Sequence, residues 1–127
     1  MNIGYESKPK DIRERTFNFA IQIVKVCQLL DERPGVGRTL SKQFLRSGTS
    51  IGANVEEAKA GQSKPDFISK NAIALQEARE THYWLRLLGA TEVLPQARLS
   101  DIQLEAEELM RIIGAIIVSA KNNSNPK

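Results

Sequence analysis

Arg46-Ser47-Gly48-Thr49-Ser50-Ile51-Gly52-Ala53-Asn54-Val55-Glu56-Glu57-Ala58 is the most unusual stretch of the chain. Leu40, Phe44, Ile51, Val55 and Ala58 recur at three-, four- and seven-residue steps, the pattern of an inward-facing helix surface. A glycine inside a helix costs about 1 kcal/mol relative to alanine, and this helix carries Gly48 and Gly52 one turn apart, on one face. Removing both side chains lets another helix come close, a steric logic best known from small-xxx-small pairs in membranes. The competing interpretation, a phosphate-cradling loop, lacks the Gly-Lys-Ser/Thr that would complete it. Gly48 and Gly52 are therefore assigned to helix packing.

The prolines at 9, 34, 65, 95 and 126 cut the chain into four proline-free stretches of similar length. Proline is costly inside a helix and gathers at helix starts and ends, so the expectation is an all-α protein with helices over about 10–33, 38–61, 65–89 and 99–121. Asp11 suits a cap for the first, Thr39 or Ser41 for the second, Ser63 ahead of Pro65 for the third, and Ser100 or Asp101 for the fourth. Residues 90–98 then form the longest internal loop, and acids from Asp101 to Glu108 favour the helix dipole, Asp101 most clearly. In the third helix Ile68, Ala72, Leu75, Ala78, His82 and Leu85 form the inward pattern. Short connections favour antiparallel neighbours, hence an up-down-up-down four-helix bundle in one domain spanning 1–127.

The first and last helices are apolar on more than one side. Helix one has Phe17, Ala20, Ile21, Val24 and Cys27, but also Phe19, Ile23, Val26 and Leu30. Helix four has Ile102, Ala106, Leu109, Ile113 and Ile116, but also Met110, Ile112, Ile117 and Val118. Both stripes exceed the ~100° needed for one core. A second buried surface supplied by another subunit explains the excess, with Ile23 and Ile117 as expected outward positions. A wide core stripe with scattered exposed aliphatics is the plainer alternative.

In helix three, Glu77, Glu80 and Trp84 lie on neighbouring faces. Paired carboxylates serve acid–base chemistry or metals. They also serve as structural partners of a polar group on helix two, Arg46 or Asn54, and that packing role is the one favoured here.

These words, Arg46 to Ala58, Asp66-Phe67-Ile68, Glu77-Ala78 and Glu80-Thr81 to Tyr83-Trp84-Leu85, closely resemble the bacterial four helix bundle protein family, also called 23S rRNA intervening-sequence proteins. The likeness spans helices two and three and is weak in helix four. It implies an antiparallel bundle assembled as a tapered, ring-like homopentamer, with no established catalysis. Accessory proteins of diversity-generating retroelements have a similar pentameric bundle and bind nucleic acid and a reverse transcriptase through basic surface, an analogy of fold alone.

Composition narrows the chemistry. The 127 residues carry one cysteine, Cys27, and one histidine, His82, which leaves no disulfide framework or multi-cysteine metal site within the chain. Arg79 stands three residues before His82, where a di-iron bundle needs Glu. Gln76, Glu77 and Ala78 stand where helical-bundle ribonucleases place Arg. Cys27 lies on an apolar face without a nearby base, and Ser47 and Ser50 show none either. The expectation is a protein without catalytic activity, cofactor or metal. No apolar run reaches the ~18 residues of a membrane span, and polar residues 1–10 lack a signal-peptide core, so a cytoplasmic setting is expected.

The net charge is +3, distributed as +4 over residues 1–64 and −1 over residues 65–127. Lys8, Lys10, Arg13, Arg15 and Lys25 contribute near the start, and Arg38, Lys42 and Arg46 form a stripe at four-residue steps. Arg13, Arg15, Lys25, Arg38, Lys42 and Arg46 are the candidate nucleic-acid contacts, repeated by symmetry in an oligomer and hence avid. No aromatic row accompanies them, so base reading is expected to be weak. A scaffold that docks a protein partner without nucleic acid is the rival expectation.

Overall fold

The computed structural model describes residues 11–61 and 63–123. Among these lie four α-helices and no strand: α1 (Ile12–Leu30), α2 (Val36–Ala60), α3 (Lys64–Ala90) and α4 (Gln96–Asn123). Lys8, Lys10, the expected helix start at residue 10 and the end of the polar tail lie outside the described residues.

Local chemistry sets most boundaries. Asp11 caps α1, its Oδ1 accepting from the Arg13 N–H at 3.1 Å. Ser63 caps α3 by accepting from the Asp66 N–H at 3.2 Å, with Pro65 in the first turn where its missing N–H costs nothing. α1 stops at Leu30, short of Arg33: the Asp31 N–H makes the last i→i−4 bond, to the Cys27 carbonyl, and the Glu32 N–H tightens to an i→i−3 bond with the Leu29 carbonyl.

Two expected starts are corrected. α2 begins after Gly35, whose φ of 133° is a conformation side chains rarely adopt, so Thr39 and Ser41 lie inside the helix. α4 begins directly after Pro95, whose carbonyl accepts from the Arg98 N–H at 2.9 Å. Proline punctuates that connection by starting the helix rather than prolonging the loop. Ser100 and Asp101 therefore do not open α4, and Asp101 lies beyond the first turn, where support from the dipole fades.

α1 packs on α2, α2 on α3 and α3 on α4, whereas the backbones of α1 and α4 come close at few points and those of the pairs α1–α3 and α2–α4 stay apart among the described residues. That is the neighbour pattern of a bundle. Phe19, Ile23, Phe44, Ile51, Leu85, Leu88, Leu99, Leu109 and Ile113 fill its centre.

The two glycines set the α1–α2 approach. A Cβ on Gly48 would lie 2.7 Å from both Cγ1 and Cγ2 of Ile23, and one on Gly52 would lie 3.3 Å from the Thr16 Oγ1. This contact also decides which side of α1 faces inward. Thr16, Phe19, Ile23, Cys27 and Leu30 are buried, while Phe17 is 65% exposed and Ile21 and Val24 are 40% exposed. Ile23, expected to point outward, is 0% exposed, because it fills the space that Gly48 vacates. Ile117 is also buried; the exposed large aliphatics of α4 are Leu104 and Val118. On α3 the buried line is Asn71, Ala74, Ala78, Thr81, Leu85 and Leu88. Of the inward line assigned from spacing, Ala72 instead faces solvent, while Ile68, Leu75 and His82 are half-buried at its edge.

Candidate functional site

The second distinctive segment meets the first across the α2–α3 contact. Arg46 Nη1 lies 3.1 Å from Glu77 Oε1, and Arg46 Nη2 lies 2.6 Å from Glu80 Oε2. The Trp84 indole N–H donates to the same Glu80 oxygen at 3.1 Å, and Tyr83 sets its ring edge-on to Trp84 at 5.2 Å and 70°. The hydrogen bond from Arg46 holds the Glu80 carboxyl below the usual glutamate range, with Trp84 adding to it. The Arg46 guanidinium is correspondingly more strongly protonated, first through its bond to Glu80. Beneath the cluster the Thr81 and Ser47 hydroxyls are buried 2.9 Å apart, and Thr81 also donates to the Glu77 carbonyl at 2.7 Å. A guanidinium shared by two carboxylates joins two helices; neither acid is left as a free base. Asn54 is not part of it, since its amide donates to the Ser50 carbonyl of its own helix at 2.9 Å.

The basic candidates divide. Arg15 forms a two-pronged pair with Glu105 at 2.7 and 3.0 Å, bridging α1 and α4, and this bond raises its pKa. Arg13 pairs with Asp11 at 3.0 Å. Arg38 donates to the Asp31 carbonyl at 2.9 Å. Lys25 and Lys42 are exposed and form no ion pair or side-chain hydrogen bond with another described residue. The α2 stripe thus exists as a row of exposed cations, but Arg46 at one end is already neutralised.

His82 Nε2 sits 2.9 Å from Glu107 Oε2, linking α3 to α4. Cys27 is buried with its thiol directed at the Ser41 carbonyl at 3.6 Å, and burial pushes that thiol's pKa up. No group of three or more His, Cys, Asp or Glu among the described residues is placed to hold a metal ion.

The sequence over residues 8–115 matches the 23S rRNA-intervening sequence protein family. The chain belongs to that family. It is also similar to a solved protein of unknown function from the S23 ribosomal protein family of Bacteroides thetaiotaomicron VPI-5482. The two share 41% identity with a TM-score of 0.78, over 84% of this chain and 98% of the other. No curated protein matches. No helix among the described residues is long and apolar enough to cross a membrane.

One surface stands out that the sequence does not distinguish. On α1, Phe17, Ile21 and Val24 project outward at steps of four and three. Glu14 and Gln28 extend the same exposed line at either end, and those polar neighbours are the signal that could have found it. Tyr83 is likewise half exposed, on a different helix from Phe17, so the exposed aromatics form no row.

Proposed function

We propose that this protein is a non-enzymatic homo-oligomer, an antiparallel up-down-up-down bundle assembled as a ring of five, whose repeated cationic surface binds RNA or DNA backbone. The observation that carries the assembly is the outward line Phe17, Ile21 and Val24, with Leu104 and Val118 exposed on α4. A lone protomer would leave that apolar surface wetted. The number five rests on the family likeness. Antiparallel order is supported by the glycine contacts: moving up α2 from Gly48 to Gly52 moves down α1 from Ile23 to Thr16.

Lys25, Lys42 and Arg38 are the residues best suited to phosphate, since no carboxylate engages them. Each contact is weak, and a ring multiplies it. Arg15 and Arg46 leave that list for the structural one, because their carboxylate partners must be given up before they can meet phosphate. This loss favours the rival reading, a scaffold that docks a protein partner. A catalytic role is disfavoured by the raised thiol pKa of Cys27 and by the engagement of His82 with Glu107.

Light scattering should give one species several times the 14.2 kDa protomer, and a monomer would refute the assembly. Retention on mixed RNA should fall steeply as salt rises. It should fall further in a Lys25→Glu, Arg38→Glu, Lys42→Glu variant of unchanged helicity. Retention absent in the intact protein selects the protein-scaffold reading. RNA cleavage abolished by His82→Ala would overturn the non-enzymatic assignment.

A further inference from the structure

Two of the apolar surfaces among the described residues are opposite in shape. One is the convex line of α1, Phe17, Ile21 and Val24, with Glu14 at its start. The other is an open groove of about 570 Å³ between the first turn of α3 and the last third of α4. Phe67, Ile112, Ala115, Ile116 and Ala120 line it, and Lys64 and Arg111 stand at its rim.

The two surfaces fit in length. At 1.5 Å per residue, Phe17 to Val24 spans about 10 Å and Ile112 to Ala120 about 12 Å. They also fit in charge. Arg111 is answered within its own chain by Glu108 at 2.8 Å, which leaves Lys64 as the rim cation without an ion pair among the described residues. Glu14 is exposed and has no ion pair among them either. One chain cannot join its own two surfaces: the line lies among the residues of α1 that face away from the core, and the backbones of α1 and α3 stay apart.

We propose that the outer line of α1 in one copy seats in the α3–α4 groove of the next copy, with Glu14 meeting Lys64, so that protomers join head to tail. This inference rests on the homo-oligomer reading above and names its seam. Pairing line to line instead would leave the groove wetted and Lys64 unanswered. A head-to-tail contact gives every protomer one donor and one acceptor surface, so the chain of contacts either closes into a ring or keeps growing.

Complementation tests it. Phe17→Asp destroys the donor surface and Ala115→Glu fills and charges the acceptor. Both positions are solvent-facing, so circular dichroism should be unchanged. Each variant alone should run as a monomer. Mixed in equal amounts, they should form a species of twice the protomer mass and nothing larger, because only one intact donor–acceptor pair is possible. Separately, Glu14→Lys or Lys64→Glu should each weaken assembly about tenfold, and the two together in one chain should restore it. A monomeric wild type defeats the oligomer reading itself. An oligomeric wild type whose size is untouched by both surface variants defeats this seam alone, as does a mixture that stays monomeric or a charge swap without rescue. Should either surface variant lose helicity, the charge swap decides.

Discussion

Replacing Gly48 with alanine tests the close approach of α1 and α2. The new Cβ would sit 2.7 Å from two carbons of Ile23, about 1 Å inside the ~3.5–4.0 Å at which carbons rest. Ile23 is fully buried and β-branched, so it cannot rotate clear, and α1 must move instead. Overpacking of this kind costs about 1–3 kcal/mol, while alanine returns about 1 kcal/mol of helix propensity. The net loss is about 1 kcal/mol. Gly114, on α4, is the internal control: nothing lies within 4 Å of its Cβ position, so Gly114→Ala keeps the propensity gain of up to ~1 kcal/mol. Gly52→Ala should fall between them, since its Cβ meets Thr16 at 3.3–3.4 Å. The assay is urea unfolding followed by helicity, at one chain concentration so that the proposed assembly would contribute equally to every variant. With m near ~1–3 kcal/mol/M, the Gly48 and Gly114 variants should differ in midpoint by roughly 1 M. A Gly48→Ala midpoint equal to or above that of Gly114→Ala would refute the packing role of this glycine.

Ile23→Asp should abolish cooperative folding, because it strands a carboxylate at a fully buried site; retained wild-type helicity would contradict the orientation given to α1. Arg15→Ala removes the bridge between α1 and α4, whose backbones come close at few points. The pair is partly exposed, so the loss is about 1 kcal/mol rather than the full value of a buried charge-assisted bond. Hydrogen exchange in the first turns of α1 should quicken about fivefold, and unchanged exchange would argue against the bridge. For Glu80 the folded pKa is lowered, chiefly by Arg46. Its contribution is therefore fully present above the ordinary value near ~4.3 and is lost as pH falls through the lowered one. Acid unfolding should be less steep for Glu80→Gln than for the intact chain, and parallel curves would dismiss the coupling.

The stretch from Arg46 to Ala58 makes the α1–α2 approach legible from the residues alone, because two glycines one turn apart in a helix have few other uses. The choice of face on α1 is not legible in the same way. Phe17, Ile21 and Val24 and the buried set Phe19, Ile23 and Cys27 are both apolar at helical spacing, so periodicity alone leaves them equivalent. What separates them is tertiary: Ile23 and Thr16 are the α1 residues that lie against the bare glycine backbone. The starts of α2 and α4 escape the sequence for a related reason. Hydroxyl and acidic residues advertise caps, yet Gly35 turns the chain by its backbone conformation and Pro95 by its fixed geometry, and neither needs a side-chain acceptor. The ion pairs of Arg46 require only that α2 and α3 be neighbours, whereas Arg15 and Glu105, ninety residues apart, give no local sign of meeting.

Packing that runs almost wholly between consecutive helices has a kinetic consequence. Contacts close over short chain separations, the regime in which domains reach their native topology fast. The α1–α2 pair, with its glycine seam, can lock while α4 is still being synthesised. Folding of the single chain would then be finished early, and the concentration of finished chains, rather than any internal barrier, would set the pace of the proposed assembly.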